Sequence, residues 1–134
     1  MNKINVNLYS RQISAYCLDI MLKINNMKFI ILGMGGLGVE ISKNIILTGV
    51  FEISFFDDKI CSMSDLSSNF FKSEEDINKK RRDEACLPKL RDLNREIIIN
   101  RFESLEIMKN NINIFSTIIR LRTKIRIKPF FFIN

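Results

Sequence analysis

The residues Gly33-Met34-Gly35-Gly36-Leu37-Gly38 carry glycines in a G-x-G-x-x-G spacing. Such a loop does its chemistry through backbone rather than side chains. Gly33 allows a tight turn, Gly35 lets the main chain approach an anion, and Gly38 lets a helix pack closely on a strand. A helix opening at this point adds free N–H groups and the positive end of its dipole. Asp57 follows about 20 residues on, where an acidic side chain can take a ribose hydroxyl. The same glycines also serve packing, so the pattern points to a nucleotide-type fold before it points to an occupant.

The flanking segments have the character needed to position that loop. Lys28 to Leu32 is a short apolar run of the length and branching of a buried parallel strand. Leu37, Ile41, Ile45 and Thr48 recur at helical spacing until Gly49 offers a stop. Phe51 to Phe56 reads as a second strand, ended by Asp57-Asp58. Together these make one βαβ unit of about 30 residues. Upstream, Ile13, Cys17, Ile20, Met21 and Ile24 predict a helix over 10–24 with Ser10 as its N-cap. Downstream, 59–71 is a polar loop, and Ser73-Glu74-Glu75-Asp76 predicts a capping box opening a charged helix towards Asn94, kinked or divided by Pro88. Ile97-Ile98-Ile99 predicts a third strand and 112–119 a fourth. The fold class is α/β, a Rossmann-like, partly parallel sheet with flanking helices.

Composition bounds the rest. The chain has 134 residues, 46% of them apolar and 27% charged, which suits one folded core. Its net charge of +6 is concentrated: Arg120, Arg122, Lys124, Arg126 and Lys128 lie in a stretch without Asp or Glu, and without those five the chain is nearly neutral. The segment 120–134 is therefore a basic tail, distinct from the domain over 1–119. Cys17, Cys61 and Cys86 are odd in number and form no C-x-x-C pair, against a zinc ribbon or a disulfide framework. The absence of His excludes imidazole catalysis and His-ligated metal. No apolar run approaches the roughly 20 residues that span a bilayer. These features predict a soluble cytoplasmic or nuclear chain, no metal site and no membrane partner.

Several segments around the glycine loop carry a more specific signal. Tyr9-Ser10-Arg11-Gln12-Ile13, Gly35-Gly36-Leu37-Gly38-Val39-Glu40-Ile41, Lys43-Asn44-Ile45-Ile46-Leu47, Gly49-Val50 and Asp65-Leu66-Ser67-Ser68 together resemble the ThiF/MoeB superfamily. Within it they resemble the N-terminal part of ubiquitin-activating enzymes, from about Leu8 to Asn94. The resemblance implies two adenylation-type domains in a pseudo-symmetric pair. One binds ATP and Mg and adenylates a ubiquitin-like protein; the other is silent and completes the pair. This chain resembles the silent one. The arginine that contacts ATP phosphates in active members falls on Ser68, with Asn69 beside it, and a hydroxyl supplies no charge. No acid stands after Ile119 where the catalytic Asp would lie.

The resemblance further implies that Arg11 reaches across the pair as an arginine finger to the ATP of the active half. Gly33, Gly35, Gly36, Gly38 and Asp57 would be a vestigial or weak nucleotide site. The implied partners are an active adenylation half, in the same or a separate chain, and ubiquitin or a related protein indirectly. No cofactor would be required by this chain alone. The enzymes it resembles are several times longer, so the chain reads as cut short within its first domain. Alternatives remain at this level: an active ThiF/MoeB-type homodimeric adenylyltransferase, or a simple dinucleotide-binding module. Arg11 could instead be exposed, pairing with Asp19 or nothing. Asp57-Asp58 could bind metal, although strand-end acids more often cap a turn. Cys61 lacks the neighbouring base of a thioester-forming cysteine, and Lys79-Lys80-Arg81-Arg82 reads as a solvated helix face. Asp65 with Ser67 and Ser68 reads as shaping a loop. The tail's alternating cations could follow a phosphate backbone, but the alternation predicts an edge strand with solvated Arg and Lys, and nucleic acid is not an expected partner.

Overall fold

The computed structural model describes residues 4–121 and 124–126. Four short strands are built from the apolar runs: β1 Lys28–Leu32, β2 Glu52–Phe56, β3 Ile98–Arg101 and β4 Thr117–Arg120. They form one sheet in the order β3-β2-β1-β4, and every pair is parallel. Because side chains alternate across a strand, an unbroken apolar run feeds two cores. Ile31, Ile53, Phe55 and Ile99 pack on one face, with Val39, Ile46, Cys86 and Leu90. Ile30, Leu32 and Phe56 pack on the other, with Met108, Ile112, Phe115 and Ile125.

The helices are α1 Ser10–Tyr16, α2 Leu18–Ile24, α3 Gly36–Thr48, α4 Met63–Leu66, α5 Arg82–Leu93 and α6 Leu105–Asn111. The β1–α3–β2 unit stands as the sequence predicts, and Gly49 ends α3 in the left-handed region at φ +85°. The α/β class is borne out, with a sheet that is wholly parallel over its four strands.

Four local expectations are corrected. The single helix over 10–24 is two helices, broken at Cys17, whose φ is 64°. Ser10 is the first helical residue rather than the cap, which is Tyr9. Tyr9 packs on Gly49, where an added Cβ would lie 2.5 Å from the ring. Its hydroxyl accepts a hydrogen bond from Asn94 at 2.8 Å, so this one aromatic docks the N-terminal helices on the central unit. The capping box at Ser73 forms, but it opens only a 3-10 turn, Glu74–Asp76. Tertiary pairing then takes over: Cys61 and Asn78 exchange backbone bonds with Lys80 and Cys61, Ile60 bridges Arg81, and the helix restarts at Arg82. Pro88 sits inside α5 without dividing it.

The fourth strand is shorter than expected, since Ile112–Ile114 is a 3-10 turn. Before it runs α6, unread in the sequence, started by Ser104 accepting from the Ile107 N–H and holding Met108 in the core. Lys124 to Arg126 belong to no strand, contrary to the edge-strand expectation. Ile125 is instead buried, and its carbonyl accepts from Arg120 at 3.2 Å. Arg122, Lys128 and Phe130 to Phe132 lie outside the described residues. Among the described residues no helix is long and apolar enough to cross a membrane.

Candidate functional site

In open parallel sheets a crevice forms beyond the carboxyl ends of the strands, where the strand order reverses. Here that point is β1, with β2 on one side and β4 on the other. A cavity of about 480 Å³ opens there. The glycine loop lines it after β1, Asp57 and Lys59 after β2, and Leu121 after β4; Ser68 and Arg82 close the remaining side.

The glycines divide into two kinds. Gly33 has φ +102°, and a Cβ on it would lie 2.1 Å from the Leu121 carbonyl oxygen. A Cβ on Gly38 would lie 2.0 Å from the Gly33 carbonyl oxygen, and one on Gly36 would lie 2.7 Å from that of Ser68. Close backbone packing explains all three. Gly35 is different: its φ of −72° suits any residue, and a Cβ there would meet nothing within 4 Å. The space beside Gly35 belongs to the cavity, and beside it the first turn of α3 leaves N–H groups without intrahelical partners.

A ring of charged side chains fixes this loop. Asp57 is buried; its Oδ2 accepts from the Met34 N–H at 2.7 Å and its Oδ1 from the Lys59 N–H at 3.0 Å. The Lys72 ammonium, with its side chain 1% exposed, donates to the Met34 carbonyl at 3.2 Å and lies 3.7 Å from Asp65. Asp65 receives Arg82 in a fork, Nε on Oδ2 and Nη2 on Oδ1, each at 3.0 Å. Arg82 Nη1 stands 4.0 Å from Asp57 Oδ2, closing the ring. The peptide groups of Met34 are thus held at both ends by opposite charges, and two cations balance two anions. Burial pushes the Asp65 carboxyl up, but the Ser62 N–H, Arg82 and Lys72 outweigh it and hold the group below its ordinary range.

Behind the ring, Asp83 accepts from the Asp57 N–H at 3.0 Å and from Arg81 at 2.7 Å. Its other oxygen, buried, has no hydrogen-bond partner among the described residues, and burial raises its carboxyl above the ordinary range. Arg81 also bonds the carbonyls of Asp57, Phe102 and Glu103, and its guanidinium lies over the Phe56 ring, 5.1 Å from the centroid. It ties the end of β2 to the end of β3.

The structure therefore brings Gly33, Gly35, Gly36, Gly38 and Asp57 together, with Ser68 opposite. It does not bring Arg11 there. Arg11 is exposed on α1, makes no ion pair among the described residues, and leaves Asp19 unpaired with it. Lys79 to Arg82 are not a solvated helix face: they precede or begin α5, and Arg81 and Arg82 are half-buried in the networks above. Lys79 and Lys80 stay exposed, Lys80 paired with Asp76 at 2.8 Å. Asp65 shapes its loop as expected, capping α4 with Ser62, and holds Arg82 besides. Lys59, Lys72 and Arg82 carry no sequence signal that marks them; Lys72 in particular follows Phe70-Phe71 as any surface lysine would. Cys61 is buried, and burial raises its thiol. Cys86, buried beside Asn69, is pushed up to about 11.

The residues present fit the phosphates of ATP, through the open space at Gly35, the N-terminus of α3 and the cations Lys59 and Arg82. They do not fit Mg. Asp57 is the one carboxylate in the cavity wall, and both its oxygens already accept backbone N–H groups. Asp58 is exposed, and no cluster of acids, Cys or His among the described residues is placed to hold a metal.

Comparison with known proteins gives a consistent result. The ThiF family matches residues 9–121. Ubiquitin-activating enzyme E1 1 of Candida albicans (strain WO-1) is 42% identical over 104 residues, which is 78% of this chain and 10% of that protein. Ubiquitin-activating enzyme E1 2 of Arabidopsis thaliana is 43% identical over 98 residues, 73% of this chain and 9% of that one. The chain thus spans about a tenth of the length of the curated relatives it matches. Among solved structures, E. coli MccB with MccA-N7isoASN is 28% identical at a TM-score of 0.66, covering 77% of this chain and 31% of that one. E. coli tRNA N6-threonylcarbamoyladenosine dehydratase, TcdA, in complex with ATP, shares the fold at a TM-score of 0.76 and 13% identity, over 90% of this chain and 51% of that one. With the parallel sheet, the glycine loop at its switch point and a match over most of the chain, the protein belongs to the ThiF family.

Proposed function

We propose that this chain is a segment of the non-catalytic adenylation half in ubiquitin activation, scaffolding ATP-dependent adenylation of ubiquitin by a partner active half. The observation that carries this reading is the composition of the cavity wall. The glycine loop is complete, yet Ser68 stands where the resemblance puts the arginine of active members, and Leu121 rather than an acid follows β4. Such a wall supplies no metal-bridging carboxylate pair for the adenylation transition state. Arg11, two residues from the docked Tyr9 and free of ion pairs among the described residues, is available to a neighbouring molecule. Its proposed role is the finger delivered in trans to ATP held by the active half. With such a partner half and ubiquitin, the proposed setting of the chain is the cytoplasm or nucleus.

The test is ubiquitin-dependent ATP–pyrophosphate exchange. The purified chain alone is expected to show none, and the chain reassembled with an active half is expected to show exchange that drops when Arg11→Ala is introduced, with ubiquitin binding unchanged. Exchange by the chain alone would establish a homodimeric adenylyltransferase in place of this reading. An unchanged rate in the Arg11 variant would remove the finger.

A further inference from the structure

The two N-terminal helices are joined at one residue. Cys17 has φ 64° and ψ 161°, a backbone region that glycine alone adopts without strain. On either side the helical bonding is intact: the Cys17 N–H donates to the Ile13 carbonyl at 2.9 Å, and the Cys17 carbonyl accepts from the Met21 N–H at 3.3 Å. The N–H groups of Leu18, Asp19 and Ile20 have no partner among the described residues. Neither do the carbonyls of Ser14, Ala15 and Tyr16, with which a continuous helix would pair them. Residues 14–20 are all exposed, so nothing buried at the elbow holds the break. The two ends hold it instead. Tyr9, 2% exposed, packs its ring on Gly49, and Asn25 donates to the Gly49 carbonyl at 3.0 Å. In one unbroken helix those two residues would stand about 24 Å apart along the axis, too far for one glycine to receive both.

We propose that α1 is a hinged arm: rotation about the Cys17 backbone joins α1 and α2 into one helix over 10–24, lifts Tyr9 from Gly49 and carries Arg11 outward. The two grips are unequal. Met21, 1% exposed, fixes α2 in the core, whereas α1 itself has no buried residue and is anchored through its cap, Tyr9. The turn leading into it, Asn5 to Tyr9, is bonded within itself and travels with the arm. Asn94, which donates to the Tyr9 hydroxyl, also donates to the Ile46 carbonyl at 3.1 Å, so it keeps a partner when Tyr9 leaves. Opening removes the strain at Cys17 and forms three backbone bonds; closing buries the Tyr9 ring. Opposed terms of this kind make a two-state element that a binding partner can bias. Where Arg11 serves as the proposed finger, the arm sets its reach; the hinge itself rests on the backbone geometry and not on that role.

The test is dipolar EPR on the full chain with spin labels on Ser10→Cys and Lys23→Cys, one on each helix and both exposed, while Cys61 and Cys86 are buried. Cys17 is replaced by alanine in one background and by glycine in the other. The alanine background keeps the strain. It is expected to show a second, longer distance beside that of the broken helix, matching a backbone separation of about 20 Å. The glycine background is expected to show about tenfold less of it, since glycine takes up the Cys17 torsions freely and is the poorer helix former. Tyr9→Ala, added to the alanine background, is expected to raise the longer population; should it fail to fold, the alanine and glycine backgrounds decide. A single short distance in the alanine background, or equal shares in the two backgrounds, would overturn the proposal. The distances are read without ATP or a partner half, so loss of the hinge leaves the finger standing and loss of the finger leaves the hinge.

Discussion

Substituting the loop glycines one at a time separates packing from ligand space. In Gly38→Ala the new methyl would stand 2.0 Å from the Gly33 carbonyl oxygen, where ordinary contact begins at 3.4 Å. The obstacle is backbone on both sides, so helix and strand must move apart. Overpacking of this kind costs about 1–3 kcal/mol, and the upper end applies here. Replacing a helical glycine by alanine returns roughly 1 kcal/mol of propensity, leaving a net loss of about 2 kcal/mol. Gly33→Ala adds a left-handed backbone, at roughly 1–2 kcal/mol, to a contact of 2.1 Å with Leu121. Gly35→Ala meets nothing and needs no strained torsion. It should be close to neutral, the gain of about 0.4–1 kcal/mol from restricting the unfolded chain being offset by alanine's poorer fit at the N-cap of α3. The assay is urea unfolding followed by circular dichroism. With a slope of about 2 kcal/mol per molar, Gly38→Ala moves the midpoint down by about 1 M and Gly35→Ala leaves it in place. A Gly35→Ala midpoint that falls as far as that of Gly38→Ala would refute the division of the loop into packing and ligand positions.

Two further outcomes follow from the buried charges and thiols. Asp65 is held below its ordinary 3.8, so its ion pairs stabilise the fold above that value and are lost as pH falls through the lower, folded-state value. Asp65→Asn should therefore cost about 3 kcal/mol at neutral pH, by leaving the buried Lys72 without its ion pair and Arg82 with only the distant Asp57, and progressively less in acid; urea midpoints across a pH series check this, and a deficit independent of pH would contradict it. Of the three cysteines, Cys17 is exposed while burial raises both Cys61 and Cys86. An alkylating reagent should modify Cys17 alone in the native protein and all three after unfolding, as mass spectrometry can count; fast labelling of a second thiol would argue against the core placement of Cys61 or Cys86.

The central βαβ unit was legible because its signals are local. The run Phe29 to Leu32, the glycine spacing and the stop at Gly49 each act within a few residues, and Asp57 falls where the spacing places it. Elements decided by distant partners were not. Ser73 to Asp76 wrote a valid helix start, yet the pairing of Cys61 with Lys80 and Asn78 pulled the chain out of helix after one turn. The break at Cys17 interrupts an apolar periodicity that itself runs on without a sign. At the site, backbone donors were foreseen from glycine spacing, whereas the cations were not. A lysine that ends up 1% exposed beneath the loop looks, in sequence, like any other after two phenylalanines. Arg82 sits in a run of charges of the kind that is usually solvated, and only the distant fork from Asp65 buries it.

The position of β4 in the sheet has a consequence for how the molecule comes together. Ser116 Oγ accepts from the Lys28 N–H and donates to its carbonyl, clipping the start of β4 to the start of β1 across 88 positions of sequence. Loop closure over such a distance carries the largest entropic cost in the sheet, and parallel pairings of this kind form slowly. The βαβ unit, by contrast, closes over a few turns of chain. The glycine loop is therefore held by local contacts, while Leu121, the wall against which Gly33 fits, is held by the most distant pairing. The cavity thus has one wall that depends on the longest-range pairing in the sheet, so loosening β4 would open the site while leaving the glycine loop itself in place.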